Sequence, residues 1–319
     1  MKDSYEREIS YLRISLTDLC NLRCTYCMPA EGVCKFEHSK IISVDEIEEI
    51  SRCAVSLGVK KIRLTGGEPM VRRGIIEICQ RLSAIDGLEE LCLTTNGLML
   101  SKYARDLALA GVTRINVSMD SMIEEKFKRI TRCTYTDEPV KLIFEGMEKC
   151  NAYGVPANKI NVVLMGGIND DEIVDFVELT KDRDLQVRFI ELMPIGEAAD
   201  WDKSVFIPNT EVLKCVPELE AAGESGVSLV YKVPGYKGSV GLISTISNHF
   251  CSKCSRLRLT ADGKLKACLH SNKETPVKGL TGDALYEAIK NEIKGKPENF
   301  DLTVEHHSDS GRNMNQIGG

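Results

Sequence analysis

The sequence predicts an α/β fold: a partial (βα)6 TIM-type barrel over residues 1–230, followed by a smaller C-terminal subdomain over 231–319. Three observations predict it. Short β-type runs alternate with helical stretches six times through the first two thirds, the pattern of a parallel sheet with helices outside. Several of those runs carry one polar, arginine-bearing face, where a packed barrel interior would hold Val, Ile and Leu. From about residue 230 the alternation gives way to runs that read as antiparallel.

The elements follow in order. YLRISLT (11–17) is the first strand, with Arg13, Ser15 and Thr17 on one face and Leu12, Ile14 and Leu16 on the other. Ser43 followed by Glu46 is a capping-box signature at the head of a helix over 43–57. KKIRLT (60–65) sets Arg63 and Thr65 opposite Ile62 and Leu64, and a helix follows at 74–84. ELCLTT (90–95) groups Cys92 with Thr94, then Asn96, ahead of a helix at 101–110. RINVSM (114–119) sets Asn116 and Ser118 against Ile115, Val117 and Met119. A short helix is expected in 120–131 and a longer one at 138–152. KINVVLM (159–165), a helix at 170–182 and QVRFIEL (186–192), with Arg188 opposite Val187 and Phe189, complete the barrel. One arginine on a strand face would be a side chain snorkelling to water. Three, on three strands, favour a wet cationic lumen that takes a polyanion. Beyond 230, the runs at 227–233 and 239–246 and the stretch SRLRLTADGKLKACL read as hairpins, the last turning at ADG. A helix is expected at 282–293, and the chain ends in the polar, glycine-rich GRNMNQIGG.

Composition narrows the function. With 43% hydrophobic and 28% charged residues the chain can bury a sizeable core, and a net charge of −6 lacks the footprint of a nucleic-acid binder. No apolar run is long enough for a membrane span, and MKDSYEREIS has no signal-like apolar region. The reading is a cytoplasmic enzyme with neither membrane nor nucleic acid as partner. Thirteen cysteines, an odd number, do not fit a disulfide framework in a reducing compartment. Cys53, Cys79, Cys92 and Cys150 sit in apolar-patterned segments and read as core thiols.

Six cysteines differ. Cys20, Cys24 and Cys27 lie in LTDLCNLRCTYCMP, and Cys251, Cys254 and Cys268 in CSKCSRLRLTADGKLKAC. Structural zinc wants four closed ligands. Each group offers three, and Cys34 is not part of a second CxxC pair. A four-iron cluster on three thiolates leaves one iron open to a small molecule. A redox CxxC at 24–27 or zinc with a distant ligand leaves Cys20 unexplained. For the second group the alternative is a zinc ribbon using His270; His249 and His306–His307 read as surface or packing histidines. GGEP at 66–69 alone would be a plain strand-to-helix turn.

CxxxCxxC at the end of the first strand, Tyr26 before its last cysteine and GGEP after the second strand together resemble the radical S-adenosylmethionine (SAM) superfamily. That resemblance implies SAM contacts at Tyr26, Gly67 (through backbone), Ser118 and Met193. RISLTDLCNLRCTYCMP, RLTGGEPMVRRG, TTNG, NVSMDS, RFIELMPIG, the second cysteine group with RLR inside it and GRNMNQIGG stand in the order of one family over essentially the whole chain. They resemble the GTP 3′,8-cyclases, lyases of molybdenum cofactor biosynthesis. The resemblance implies two [4Fe–4S] clusters, the open iron of the first binding SAM and that of the second the guanine base. It implies GTP contacts at Arg13, Arg63, Thr94, Lys159, Arg188, Arg256 and Arg258, and catalytic roles for Arg13, Arg256, Arg258, Gly318 and Gly319. It further implies an electron donor such as flavodoxin, and cyclic pyranopterin monophosphate synthase as the enzyme receiving the product; a homodimer stays open. A peptide-modifying radical SAM maturase would want more auxiliary cysteines and no arginine set. A zinc-bearing binding module would be colourless.

Overall fold

Strand and helix alternate along the chain as the apolar patterning requires, and the six expected strands pair in parallel in chain order. The structure, a computed structural model, describes all residues except 34–36, 135, 301, 306, 307, 309 and 319. Cys34, His306, His307 and Gly319, singled out above, lie outside the described residues. The first half runs β1 (Tyr11–Ser15), α1 (Val44–Ser56), β2 (Lys61–Thr65), α2 (Ile75–Ser83), β3 (Glu90–Thr95), α3 (Leu100–Leu109), β4 (Arg114–Ser118) and α4 (Glu124–Thr131). Then come α5 (Pro139–Ala152), β5 (Lys159–Leu164), α6 (Ile173–Glu178), β6 (Gln186–Glu191) and α7 (Thr210–Cys215). The capping box of α1 forms as read: Ser43 Oγ accepts from Glu46 N at 3.1 Å and the Glu46 carboxylate accepts from Ser43 N at 2.7 Å. Leu12, Ile14, Ile62 and Leu64 are fully buried in the main apolar core.

The sheet is larger than expected. The chain continues through β7 (Glu220–Ser225), β8 (Ser228–Lys232), β9 (Ser239–Ile243), β10 (Arg256–Leu259), β11 (Lys264–Lys266), β12 (Thr275–Pro276), α8 (Gly282–Lys294) and α9 (Met314–Ile317). The hairpins β8–β9 and β10–β11 are antiparallel, as the pattern indicates. However, β9 also adds in parallel to β6, and β10 in parallel to β1. Eight strands therefore run parallel in the order β10-β1-β2-β3-β4-β5-β6-β9, with antiparallel strands beyond both ends. β9 and β10 are not neighbours, so the sheet wraps a cavity without closing. Residue 230 falls inside β8, and Val240, Leu257, Leu265 and Ile289 share one core with Leu12 and Ile14.

One helix differs from the reading, and α4 forms within 120–131 as expected. The segment 170–182 is helical only as a 3-10 turn at Asp170–Glu172 and as α6. Beyond it, the carbonyls of Thr180 and Lys181 accept from Gly238 N and Lys237 N, the approach to β9. α4 starts after Asp120 and Ser121, whose side chains are engaged elsewhere: Ser121 Oγ donates to Glu172 at 2.8 Å and Asp120 holds Tyr26. Among the described residues no helix is long and apolar enough to cross a membrane.

Candidate active site

Parallel register stacks the lumen-facing side chains in rows. Tyr11 lies level with Arg256 and Lys61, and Arg13 level with Arg258 and Arg63. These side chains line a cavity of about 760 Å³, a volume suited to small-molecule ligands. All seven residues expected to touch GTP line it: Arg13, Arg63, Thr94, Lys159, Arg188, Arg256 and Arg258. Both cysteine groups line it too, as do Tyr26, Gly67, Ser118 and Met193. The charged-hairpin reading fails for Arg258, which is only 5% exposed; Arg256 is half-buried and lines the cavity with it.

The cations crowd one another. Burial, with the charges of Arg258, Arg256 and Arg63, holds Arg13 down to about 9, although Tyr11 opposes the effect. Burial and neighbouring cations bring Arg188 and Arg258 to about 10 and Lys159 to about 8. Tyr11 goes the other way for an acid: burial would raise it, but Arg63, Arg13, Arg256 and Lys61 outweigh burial and pull it to about 8. Arg63 Nε donates to Tyr11 Oη at 2.7 Å, and its Nη1 reaches Thr94 Oγ1 at 3.1 Å. At the level of Tyr11, Glu90 pairs with Lys61 at 2.9 Å and Arg114 at 2.6 Å. Glu191, another lining acid, is taken up by Asn209 N, Ile246 N and Ser247 N. Forked guanidinium groups in such a setting bind phosphate oxygens through charge-assisted hydrogen bonds.

The first cysteine loop follows β1. GGEP does more than turn the chain: Gly67 N donates to Thr17 O and Glu68 N to Leu19 O, both at 2.8 Å. Side chains do not fit there. A Cβ on Gly66, which sits at φ +145°, would lie 2.5 Å from Thr17 O, and one on Gly67 2.9 Å from Asp18 O. With its N–H committed, Gly67 has its carbonyl to offer an ammonium group. Glu68 is fully buried and accepts from Asn96 N, Met70 N and Thr95 Oγ1; burial drives it up to about 7. Asn96 in turn donates to Asn21 Oδ1 at 2.8 Å and reaches Cys20 Sγ at 3.9 Å. Tyr26 Oη donates to Asp120 at 2.7 Å, and burial raises Asp120 to about 6.

The thiols suit a metal group. Burial pushes Cys20 up to about 11, Cys27 to about 12 and Cys24 well above its usual value. Coordinated iron would reverse this, since a metal deprotonates its thiol ligands. Cys254 is lowered: burial acts upward, but Lys296 and Arg256 outweigh it. All twelve described cysteines are free. Among the described residues no three His, Cys, Asp or Glu groups converge on a single metal ion. His270, weighed as a zinc ligand, stacks on Phe300 with ring centroids 4.9 Å apart, and burial lowers it to about 4. Three thiols facing a shared cavity fit a bulkier iron–sulfur group with one open corner better than they fit zinc.

The C-terminal tail enters this site. Arg312 pairs with Asp262 at 2.8 Å and Glu274 at 2.6 Å. Asn313 and Gln316 form a capping box on α9, and Asn315 Nδ2 donates to Asp18 O at 2.9 Å. Arg258 Nη1 donates to Gly318 O at 2.6 Å and to Ile317 O at 3.2 Å. Sequence reasoning missed Lys61 and Tyr11, which the two-residue strand period with Arg63 and Arg13 would have found. It also missed Glu68, Asp120 and Glu191; each stands inside a quoted motif, but its partners are remote in sequence. Lys296, in the surface-like stretch KGKPENF, carries no signal.

A half-open parallel barrel with three cysteines where its first strand ends defines a radical SAM enzyme. The sequence matches the Radical SAM superfamily over residues 14–180 and Molybdenum Cofactor Synthesis C over 185–302. It is 48% identical over 325 residues to the GTP 3′,8-cyclase of Alkaliphilus oremlandii, with 100% of both chains covered. It is 46% identical over 327 residues to that of Peptoclostridium acidaminophilum, covering 99% of this chain and 98% of the other. The chain belongs to the GTP 3′,8-cyclase family. Its fold also resembles Streptococcus suis SuiB, at 13% identity and a TM-score of 0.61, covering 97% of this chain and 77% of that one. anSMEcpe with bound AdoMet gives 16% and 0.55, with 89% and 82% covered.

Proposed function

We propose that this enzyme converts GTP to (8S)-3′,8-cyclo-7,8-dihydroguanosine 5′-triphosphate in molybdenum cofactor biosynthesis, using SAM and two [4Fe–4S] clusters. The observation that carries the reading is that two separate trios of thiols and a cluster of arginines on adjacent strands open into one cavity. Residues 1–230 supply Cys20, Cys24 and Cys27 and the SAM contacts; residues 231–319 supply Cys251, Cys254 and Cys268 and the tail. Cys20, Cys24 and Cys27 would hold a cluster whose chemistry is one-electron cleavage of SAM to methionine and a 5′-deoxyadenosyl radical. That radical would take hydrogen from ribose C3′, and C3′ would bond to guanine C8. A second electron, ultimately from the flavodoxin-like donor, with a proton would reduce the base radical that remains.

The chain's own part is holding and orienting. Arg13, Arg63, Lys159 and Arg188 clamp the triphosphate, and Thr94 Oγ1, bonded to Arg63, fixes that guanidinium. Arg256 and Arg258 stand on β10 beside the second trio, so they bridge the phosphates and the base end. Tyr26, Gly67, Ser118 and Met193 hold SAM at the strand ends. Arg258 also seats the tail by donating to the Gly318 carbonyl, with Gly318 against Ser15 and Thr65. A flavodoxin-like donor and cyclic pyranopterin monophosphate synthase are the partners this chemistry calls for.

The test is anaerobic incubation of the reconstituted enzyme with GTP, SAM and dithionite. The expected result is 5′-deoxyadenosine together with the cyclised nucleotide. 5′-Deoxyadenosine with GTP left intact would contradict the reading.

A further inference from the structure

Lys296 follows α8 by two residues, is 4% exposed and lines the cavity beside the second cysteine trio. An ammonium carries three N–H donors and no acceptor. Here one goes to Arg256 O at 2.9 Å and a second to Ala267 O. Ala267 immediately precedes Cys268, and Arg256 is two residues beyond Cys254. Glu292, four residues before Lys296, accepts from Ala267 N at 2.8 Å and from Thr275 Oγ1 at 2.6 Å. The two side chains thus hold Ala267, the residue that leads into Cys268, by its backbone N–H and its carbonyl.

Two donors of Lys296 are thus held by backbone carbonyls of the segments that carry Cys254 and Cys268. This fixes a buried positive charge beside the second trio. We propose that Lys296 sets the reduction potential of the cluster held by Cys251, Cys254 and Cys268, through a buried charge anchored beside two of its ligands. The proposal rests on the two-cluster reading above. Charge and hydrogen bonds to sulfur are main determinants of such potentials. One electron from a reductant makes the cluster one unit more negative, and a cation held close in a poorly screened site favours that state. Glu292 has the opposite effect, but it is unchanged between variants of Lys296.

The test is an EPR-monitored redox titration of anaerobic holoenzyme, without GTP, in the wild type, Lys296→Gln and Lys296→Arg, with iron counted in each. At a fixed potential, Lys296→Gln should raise the oxidised-to-reduced ratio of the second cluster about tenfold, a downward shift of about 59 mV for a one-electron couple. Lys296→Arg should titrate near the wild type, and the first cluster should not move. Full iron with an unchanged midpoint in Lys296→Gln overturns the assignment. Should Lys296→Gln shed the second cluster, wild-type enzyme carrying lysine labelled with nitrogen-15 only at Nζ decides. A weak nitrogen coupling at the second cluster supports the assignment, and its absence overturns it. A wild type that holds about four irons and one EPR signal would instead refute the two-cluster reading.

Discussion

Replacing Gly318 with alanine should unseat the tail and stop cyclisation while SAM cleavage continues. Gly318 sits at φ +65°, in the left-handed region. A residue with a Cβ pays roughly 1–2 kcal/mol there. The added methyl would also run into Thr65 Oγ1, with Ser15 Cβ at 3.4 Å. Thr65 is 2% exposed and cannot swing aside; overpacking of this kind costs about 1–3 kcal/mol. The two effects sum to about 2–5 kcal/mol. At about 1.4 kcal/mol per tenfold, occupancy of the seat falls by about thirtyfold or more. The assay measures cyclised nucleotide and 5′-deoxyadenosine from the same anaerobic reaction. The cyclised product should drop at least about tenfold, with 5′-deoxyadenosine persisting. Combining Gly318→Ala with Thr65→Ala removes the collision and leaves only the backbone effect, so part of the cyclisation should return relative to Thr65→Ala alone. Wild-type cyclisation by Gly318→Ala, or no gain from the second change, would refute this reasoning. Deleting Gly318 and Gly319 should have the same outcome in stronger form.

Lys159 and Tyr11 both titrate near 8 in the folded protein, below their ordinary values. The folded state therefore binds fewer protons than the unfolded state between about pH 8 and 10, and stability rises with pH across that window. A bound triphosphate favours charged Lys159 and neutral Tyr11, so GTP binding should take up protons at about pH 8.5 and almost none at about pH 6.5. Calorimetry in buffers of different ionisation enthalpy checks this, and buffer-independent heats at the higher pH would contradict it. Glu191→Gln replaces one acceptor oxygen facing Asn209 N, Ile246 N and Ser247 N with a donor. It should cost about 1–3 kcal/mol and speed hydrogen exchange at Ile246 and Ser247, and unchanged exchange there would count against the role given to Glu191. Replacing Cys20, Cys24 and Cys27 together with alanine should leave about four of about eight irons and abolish 5′-deoxyadenosine formation. A full iron count in that variant would contradict the assignment of the first trio.

Much of this site was legible because strand geometry is simple. Alternation along YLRISLT and KKIRLT put Arg13 and Arg63 on the polar face, and the structure turns that face into the lumen. The cysteine spacing stood out because no core or zinc site needs it. Pairing across long sequence separations was not legible. Nothing in RLRL or SVGLI says that β10 will lie beside β1 and β9 beside β6, although both join the sheet in parallel. β7 (EAAGES) is exposed over most of its length and has no apolar alternation to read. Lys296 and Glu292 looked like ordinary charged residues at the end of an amphipathic helix; only the docking of α8 against β11 buries them. The tail read as a fraying terminus apart from its family likeness. Asn313, Asn315 and Arg312 anchor it through partners up to 297 residues away.

What occupies an open iron corner at the second trio decides whether GTP is held there by its base. Pulsed EPR of the reduced holoenzyme with GTP labelled with nitrogen-15 in its guanine ring reads that corner directly. A strong coupling from the labelled base at the cluster of Cys251, Cys254 and Cys268 is the predicted result. A strong coupling that appears instead with labelled protein, from a side-chain nitrogen bonded to that iron, would contradict it.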